Sequence, residues 1–178
     1  MKIAVASDLH GALSFTRAFF DRAQEMGADK ILLLGDLYYH GVRNPLPEGY
    51  APLELSEFLN DHRDELIVTR GNCDSDVDVT VSRFSFAREV VLTLGNKVIH
   101  ASHGDRFTIE NLPEGKFDVV LYGHYHTGFI QEKDGVIVAN PGSLSLPKGG
   151  TPKSFLMMDE ESIALFDLDG TLLCKQPL

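Results

Sequence analysis

Three short apolar runs break off in the same manner, and this repetition constrains the fold more than any other feature of the sequence. Residues 2–6 stop at Ser7-Asp8, residues 30–34 at Gly35-Asp36, and residues 66–69 just before Gly71-Asn72. Runs of this length suit strands covered on both faces and are too short for buried helices. Between the first two, Phe15, Ala18, Phe19, Ala23 and Met26 recur at helical spacing, with Ser14 placed to cap the helix and Gly27 to stop it. A loop rich in proline and glycine from His40 to Pro52 leads to a second helix near residues 53–61. The first part therefore reads βαβαβ, with polar residues delivered from the C-terminal ends of three strands.

The texture then changes. Short apolar or alternating runs near 89–94, 97–102, 118–122, 129–132, 136–139, 154–158 and 162–167 read as strands. Leu94-Gly95-Asn96, Lys133-Asp134-Gly135 and Asp169-Gly170 are turn signals between such runs. No repeat, low-complexity tract or linker interrupts the chain. With 178 residues and 43% hydrophobic content, one α/β domain over residues 1–178 with two packed sheets is the expected architecture, burying roughly 70% of its unfolded surface.

Charge narrows the partners. Twenty-six acidic against 16 basic residues give a net charge of -10, which argues against a nucleic-acid partner or an anionic membrane surface. A phosphate-bearing small molecule would need a local positive centre. Two cysteines, Cys73 and Cys174, are too few for a disulfide framework. The opening apolar run ends at Asp8, far short of a signal segment or membrane span, so the cytoplasm is the expected location. Assembly into a homo-oligomer is compatible with all of this.

Metal-ligating residue types concentrate at the strand ends: Asp8, His10, Asp36, Asn72, His103, His124 and His126. Each piece alone has an ordinary reading. Asp8-Leu9-His10 could cap a helix, Gly35-Asp36 could be a turn, and His124-Tyr125-His126 could be one face of a surface strand. Their shared placement is harder to explain that way. In extended chain, residues two apart point to one side, so Asp8/His10 and His124/His126 are expected to act as paired clamps. Imidazole with carboxylate and amide oxygen suits Mn, Fe or Zn better than Mg. Seven ligands exceed the needs of one ion, and two ions sharing a carboxylate would use them all.

Ser7-Asp8-Leu9-His10-Gly11, Gly35-Asp36, Gly71-Asn72-Cys73-Asp74, Ser102-His103-Gly104 and Gly123-His124-Tyr125-His126 resemble the successive motifs of the calcineurin-like metallophosphoesterases. The segment from Arg43 to Pro52, Gly71 to Ser75, Asn140-Pro141-Gly142-Ser143 and Pro147-Lys148-Gly149-Gly150 narrow the likeness to small bacterial YfcE-type phosphodiesterases. The resemblance implies a four-layer αββα sandwich, two mixed sheets flanked by helices. It implies two divalent ions, manganese first, with iron, zinc or nickel as alternatives. Asp8, His10, Asp36 and His126 would hold one ion; Asp36, Asn72, His103 and His124 would hold the other. Asp36 bridges, and Asp36 and Asn72 count as the catalytic residues. The implied reaction is hydrolysis of a small phosphodiester by a hydroxide lying between the ions. A phosphatase or nuclease of the same superfamily, or a non-catalytic scaffold, is the alternative.

Two positions depart from the family pattern. Cys73 stands where many members carry a proton-donating histidine, and Asp105 where many carry histidine after His103-Gly104. Cys73 is placed to line the substrate site, and Arg43, a few residues after Asp36, is the best candidate for a phosphate contact. Lys148 reads as an ordinary exposed lysine, His40 as a rim residue, His100 as a core residue and His62 as a helix-end residue. Phe166-Asp167-Leu168-Asp169-Gly170-Thr171 matches the nucleophile motif of haloacid-dehalogenase-type phosphatases, but that fold needs its core downstream. Asp169-Gly170 is therefore expected to be a hairpin turn.

Overall fold

Alternate residues of β1 (Ile3–Ala6) face two different cores, and that alternation sets the order of the layers. The computed structural model describes all 178 residues. Ala4 and Ala6 pack with Phe19, Phe20 and Ala23 of α1 (Leu13–Glu25) and with Leu55 and Leu59 of α2 (Pro52–Asp61). Ile3 and Val5 turn the other way, toward Ile99, Ala101, Val119 and Leu121 of a second sheet. A strand apolar on both faces is thus what a sheet sandwiched between helices and another sheet requires.

The first sheet has seven strands, in the order β12 (Leu172–Pro177), β11 (Ser162–Asp167), β10 (Ser154–Met158), β1, β2 (Lys30–Leu33), β3 (Leu66–Thr69) and β4 (Phe86–Ala87). β1 to β4 run parallel and β10 to β12 antiparallel. The second sheet orders β5 (Glu89–Leu94), β6 (Lys97–Ser102), β7 (Val119–Leu121), β9 (Val136–Pro141) and β8 (Gly128–Lys133). It is also mixed, with β6, β7 and β9 parallel. Outside it lies irregular chain over residues 103–118, from which Phe107 and Phe117 pack on His100. Gly104, Pro113 and Gly115 deny that layer a long helix. No helix of the chain is long and apolar enough to cross a membrane.

Several local expectations change. Ser14 does not cap α1; the N-cap is Ala12, with no side-chain bond. The entry is set by backbone pairing instead, because Leu13 donates to the Gly49 carbonyl and Ala51 to that of Gly11. The helix α3 (Asp76–Val81), closed by a Ser75/Asp78 capping box, and the short β4 escaped the sequence reading. The Asp167 motif is a turn: Asp167 accepts the Thr171 N–H on Oδ1 at 2.7 Å, at the hairpin between β11 and β12.

Candidate metal centre

The C-terminal ends of β1, β2 and β3 meet the loops after β6 and β7 at one locus. Gly35 and Gly71 allow the approach: a Cβ on Gly35 would enter the Gly71 backbone, and one on Gly71 would enter the Asp36 carboxylate. All seven residues singled out from sequence come together there. Asp8, His10 and His103 are fully buried, Asp36 and His126 nearly so, His124 is half-buried and Asn72 exposed.

The paired residues do not converge by extended alternation, as their spacing predicts. Asp8, His10, Asp36, His124 and His126 all have positive φ, between 47° and 67°. The only other non-glycine residue of this kind is Asp134, in the hairpin between β8 and β9. Left-handed backbone costs an L-residue about 1–2 kcal/mol, so five instances at one locus mark strain retained for a site.

Hydrogen bonds orient each group. His10, His103 and His126 donate Nδ1–H to the carbonyls of Tyr39, Leu34 and Leu146 at 2.8, 2.7 and 2.7 Å. That fixes the tautomer and leaves each neutral ring with an Nε2 lone pair facing inward. The lone pairs then meet other acceptors. His10 Nε2 lies 3.2 Å from His126 Nε2, and His103 Nε2 lies 3.0 Å from Asn72 Oδ1. His126 Nε2 stands 3.2 Å from Asp8 Oδ1, a buried oxygen with no hydrogen-bond donor. Acceptors facing acceptors in a buried pocket repel unless a cation or a proton lies between them.

The titration behaviour agrees. Burial by itself would lower the His10 and His103 imidazoles, yet Asp8 and Asp36 raise both above the usual histidine value. Burial would likewise raise the Asp8 carboxyl, but His10, His126 and His103 hold it far below the ordinary carboxylate range. His124 moves down, through burial and the charge of His103. The locus draws in positive charge, and its donors fit divalent metal.

The contacts divide into two groups that share Asp36. Asp36 Oδ2 is 3.8 Å from His10 Nε2, which adjoins His126 and Asp8; Asp36 Oδ1 is 3.5 Å from His103 Nε2, which adjoins Asn72 and His124. Three sets bring their donor atoms within 4.8 Å of one another: Asp8, His10 and His126; His10, Asp36 and Cys73; and Asp8, Asp36 and His103, so that Asp36 is found with His10 and with His103 and Asp8 also reaches both sides.

A supporting layer, whose segments stand out in the sequence as motifs but without a role, holds these loops. Ser143 and Ser145 both donate to the Asp8 carbonyl, at 2.7 and 3.0 Å, and Asn140 donates to that of Gly123 at 2.8 Å. The Asp74 carboxylate accepts the backbone N–H groups of Asp36, Leu37 and Gly71 at 2.9, 2.8 and 2.7 Å. A signal existed, since both Asn140-Pro141-Gly142-Ser143 and Asp74 interrupt or follow apolar strands. Asp74→Ala would orphan three buried donors, and should cost about 3–5 kcal/mol of stability in denaturant unfolding, together with weaker metal binding. Unchanged stability would show that Asp74 does not hold the two loops together.

A cavity of about 830 Å³ opens above the locus, lined among others by Asp36, Asn72, His124 and His126. Arg43 and Cys73 both line it, as does Lys148. His40 stacks edge-on with Tyr39 and Tyr50 at the rim, His62 closes α2 against the Phe58 carbonyl, and His100 meets Glu89 at 3.1 Å. Asp105 is exposed and touches the site only through its charge on His124.

Imidazoles, carboxylates and an amide converging at the floor of an open cleft define a divalent-metal hydrolase site. A family model for the calcineurin-like phosphoesterase superfamily domain matches residues 1–162. Phosphodiesterase YfcE of Escherichia coli K12 is 38% identical over 178 residues, spanning 99% of this chain and 97% of its own. The structure of that Escherichia coli phosphoesterase superposes with a TM-score of 0.95 at 37% identity, covering 99% of this chain and 98% of the other. Probable metallophosphoesterase YsnB of Bacillus subtilis is 27% identical, over 96% of this chain and 93% of its own. The chain belongs to the calcineurin-like phosphoesterase superfamily.

Proposed function

We propose that the protein is a phosphodiesterase that cleaves a small-molecule phosphodiester using two divalent ions, manganese first among them. Asp8, His10, Asp36 and His126 hold one ion, and Asp36, Asn72, His103 and His124 the other. The observation that carries this reading is the division of Asp36: its two oxygens face two separate groups of donors. Bound there, the ions lower the pKa of water and offset the charge of the phosphoryl group. The chain's own part is to hold three Nε2 lone pairs inward through carbonyl partners and to bury the floor from bulk water. The likeness to Phosphodiesterase YfcE supports a diester rather than a monoester. The net charge of -10 weighs against nucleic acid. Two unbridged cysteines accord with the cytoplasm.

Turnover of manganese-reconstituted protein on matched aryl diesters and monoesters tests the reading. Diesters should be cleaved faster, and a preparation that cleaves only monoesters would contradict it. Proton competition gives a second expectation. Because His10 and His103 lie above the usual histidine value in the metal-free site, protons displace metal as pH falls, starting above the ordinary value of about 6.5. The apparent manganese affinity should drop about tenfold per pH unit for each proton displaced. Calorimetry between about pH 8 and 6 measures this, and a flat affinity would rule out ligation by these rings.

A further inference from the structure

Among the cavity side chains with no part in the reaction, two are aromatic and two cationic: Tyr39, Arg43, Tyr125 and Lys148. They form two matched pairs. The connection from β2 to α2 supplies Tyr39 and Arg43; the connections after β7 and β9 supply Tyr125 and Lys148. Each pair brings one ring and one cation to the cleft.

The backbones of three of them are tied to the metal-facing residues. The Tyr39 carbonyl accepts the His10 Nδ1–H at 2.8 Å, and Tyr125 lies between His124 and His126. Lys148 donates its N–H to the His126 carbonyl at 2.9 Å. Arg43 sits in a turn closed by Asn44, whose N–H reaches the Gly41 carbonyl at 3.1 Å and whose Nδ2 reaches that of His40 at 2.8 Å. The rings are left open to solvent, Tyr39 at 42% and Tyr125 at 53% exposure. Neither cation belongs to any ion pair of the fold. Exposed aromatic rings and unpaired cations lining one cleft are the makings of a ligand surface.

Charge decides what the ligand carries. Two divalent ions set against Asp8 and Asp36 leave a surplus that a singly charged diester and its nucleophile already match. Arg43 and Lys148, exposed and in no ion pair of the fold, then add two positive charges to the cleft. A phosphate monoester, carrying about -1.5 to -2 at neutral pH, is the group that balances them. Resting on the phosphodiesterase reading, we infer that the substrate is a phosphodiester bearing a second phosphate and a planar ring, the chemistry of a phosphorylated nucleotide. Arg43 and Lys148 hold the second phosphate, and Tyr39 and Tyr125 pack on the ring.

Calorimetry on the manganese-loaded protein tests this with three product-like probes: thymidine 5′-phosphate, thymidine 3′,5′-bisphosphate and propane-1,3-diyl bisphosphate. The nucleoside bisphosphate should bind about tenfold tighter than the monophosphate, through added charge-assisted contacts. In Arg43→Gln/Lys148→Gln that ratio should fall close to one. The ringless bisphosphate should bind several-fold more weakly than the nucleoside bisphosphate, and Tyr39→Leu/Tyr125→Leu should close the gap. Thermal melting of each variant confirms that the fold is kept. Equal binding of the two nucleotides to the wild type, or an advantage that survives the double variant, overturns the inference. Cleavage of bis(p-nitrophenyl) phosphate by the same preparation separates the two levels. If it is cleaved while both nucleotides bind alike, the substrate class is wrong and the phosphodiesterase reading stands; if no diester is cleaved, both fall.

Discussion

Replacing Asp36 by asparagine should reduce turnover of an activated diester on the order of a thousandfold, more than any single histidine substitution in the site. The geometry explains the ranking. Asp36 Oδ1 approaches His103 Nε2 at 3.5 Å while Oδ2 approaches His10 Nε2 at 3.8 Å. One side chain therefore serves both groups of donors, whereas each histidine serves one. Asparagine keeps the shape and can still accept the Cys73 N–H that now reaches Asp36 Oδ1 at 2.8 Å. The loss should accordingly appear in metal content and rate, with little change in melting temperature. An Asp36→Asn protein that retained both ions and near-normal rates would show that the carboxylate is not shared.

Rates should also fall steeply as the leaving group becomes more basic, so that activated aryl diesters are cleaved far faster than alkyl ones. Cys73 lines the cavity at the position where the family resemblance leads one to expect histidine, and its thiol is pushed up to about 12 by burial and by the Asp36 charge. Such a thiol is a poor proton donor at neutral pH, whereas an imidazolium near about 6.5 is well matched. Cys73→Ala should cost little with a good leaving group. Cys73→His should raise rates for poor leaving groups by about a hundredfold, the lower end of what a positioned acid contributes. A series of diesters graded by leaving-group pKa, run on the wild type and both variants, measures the slopes. A shallow wild-type slope that steepens in Cys73→Ala would make the thiol, or a water it positions, the acid after all.

The strands and the gathering of the site were legible for one physical reason. A buried parallel strand needs residues apolar on both faces, so Ile3–Ala6 and Lys30–Leu33 stand out as runs, and the polar residue that ends each run stands out with it. What the sequence hides is conformation that tertiary contacts impose. Asp8 and His10 look like extended-chain partners, yet both are left-handed, held so by the serine hydroxyls on the Asp8 carbonyl and by the carbonyl bond of His10. The start of α1 follows backbone pairing with residues 49 and 51, which outweighs the capping preference of Ser14. Asp74 stands out in the sequence only as the last residue of Gly71-Asn72-Cys73-Asp74, because its partners are backbone N–H groups from two separate loops. By contrast, the capping box of Ser75 and Asp78 is a local signal that could have announced α3.

Titrating metal-free protein with manganese, while recording bound metal by elemental analysis and cleavage of bis(p-nitrophenyl) phosphate on the same samples, tests the central claim most directly. Activity should be absent in the metal-free protein and should reach its plateau as occupancy approaches two ions per chain. Full turnover by protein shown to contain no metal, or a plateau already reached at one ion per chain, would contradict it.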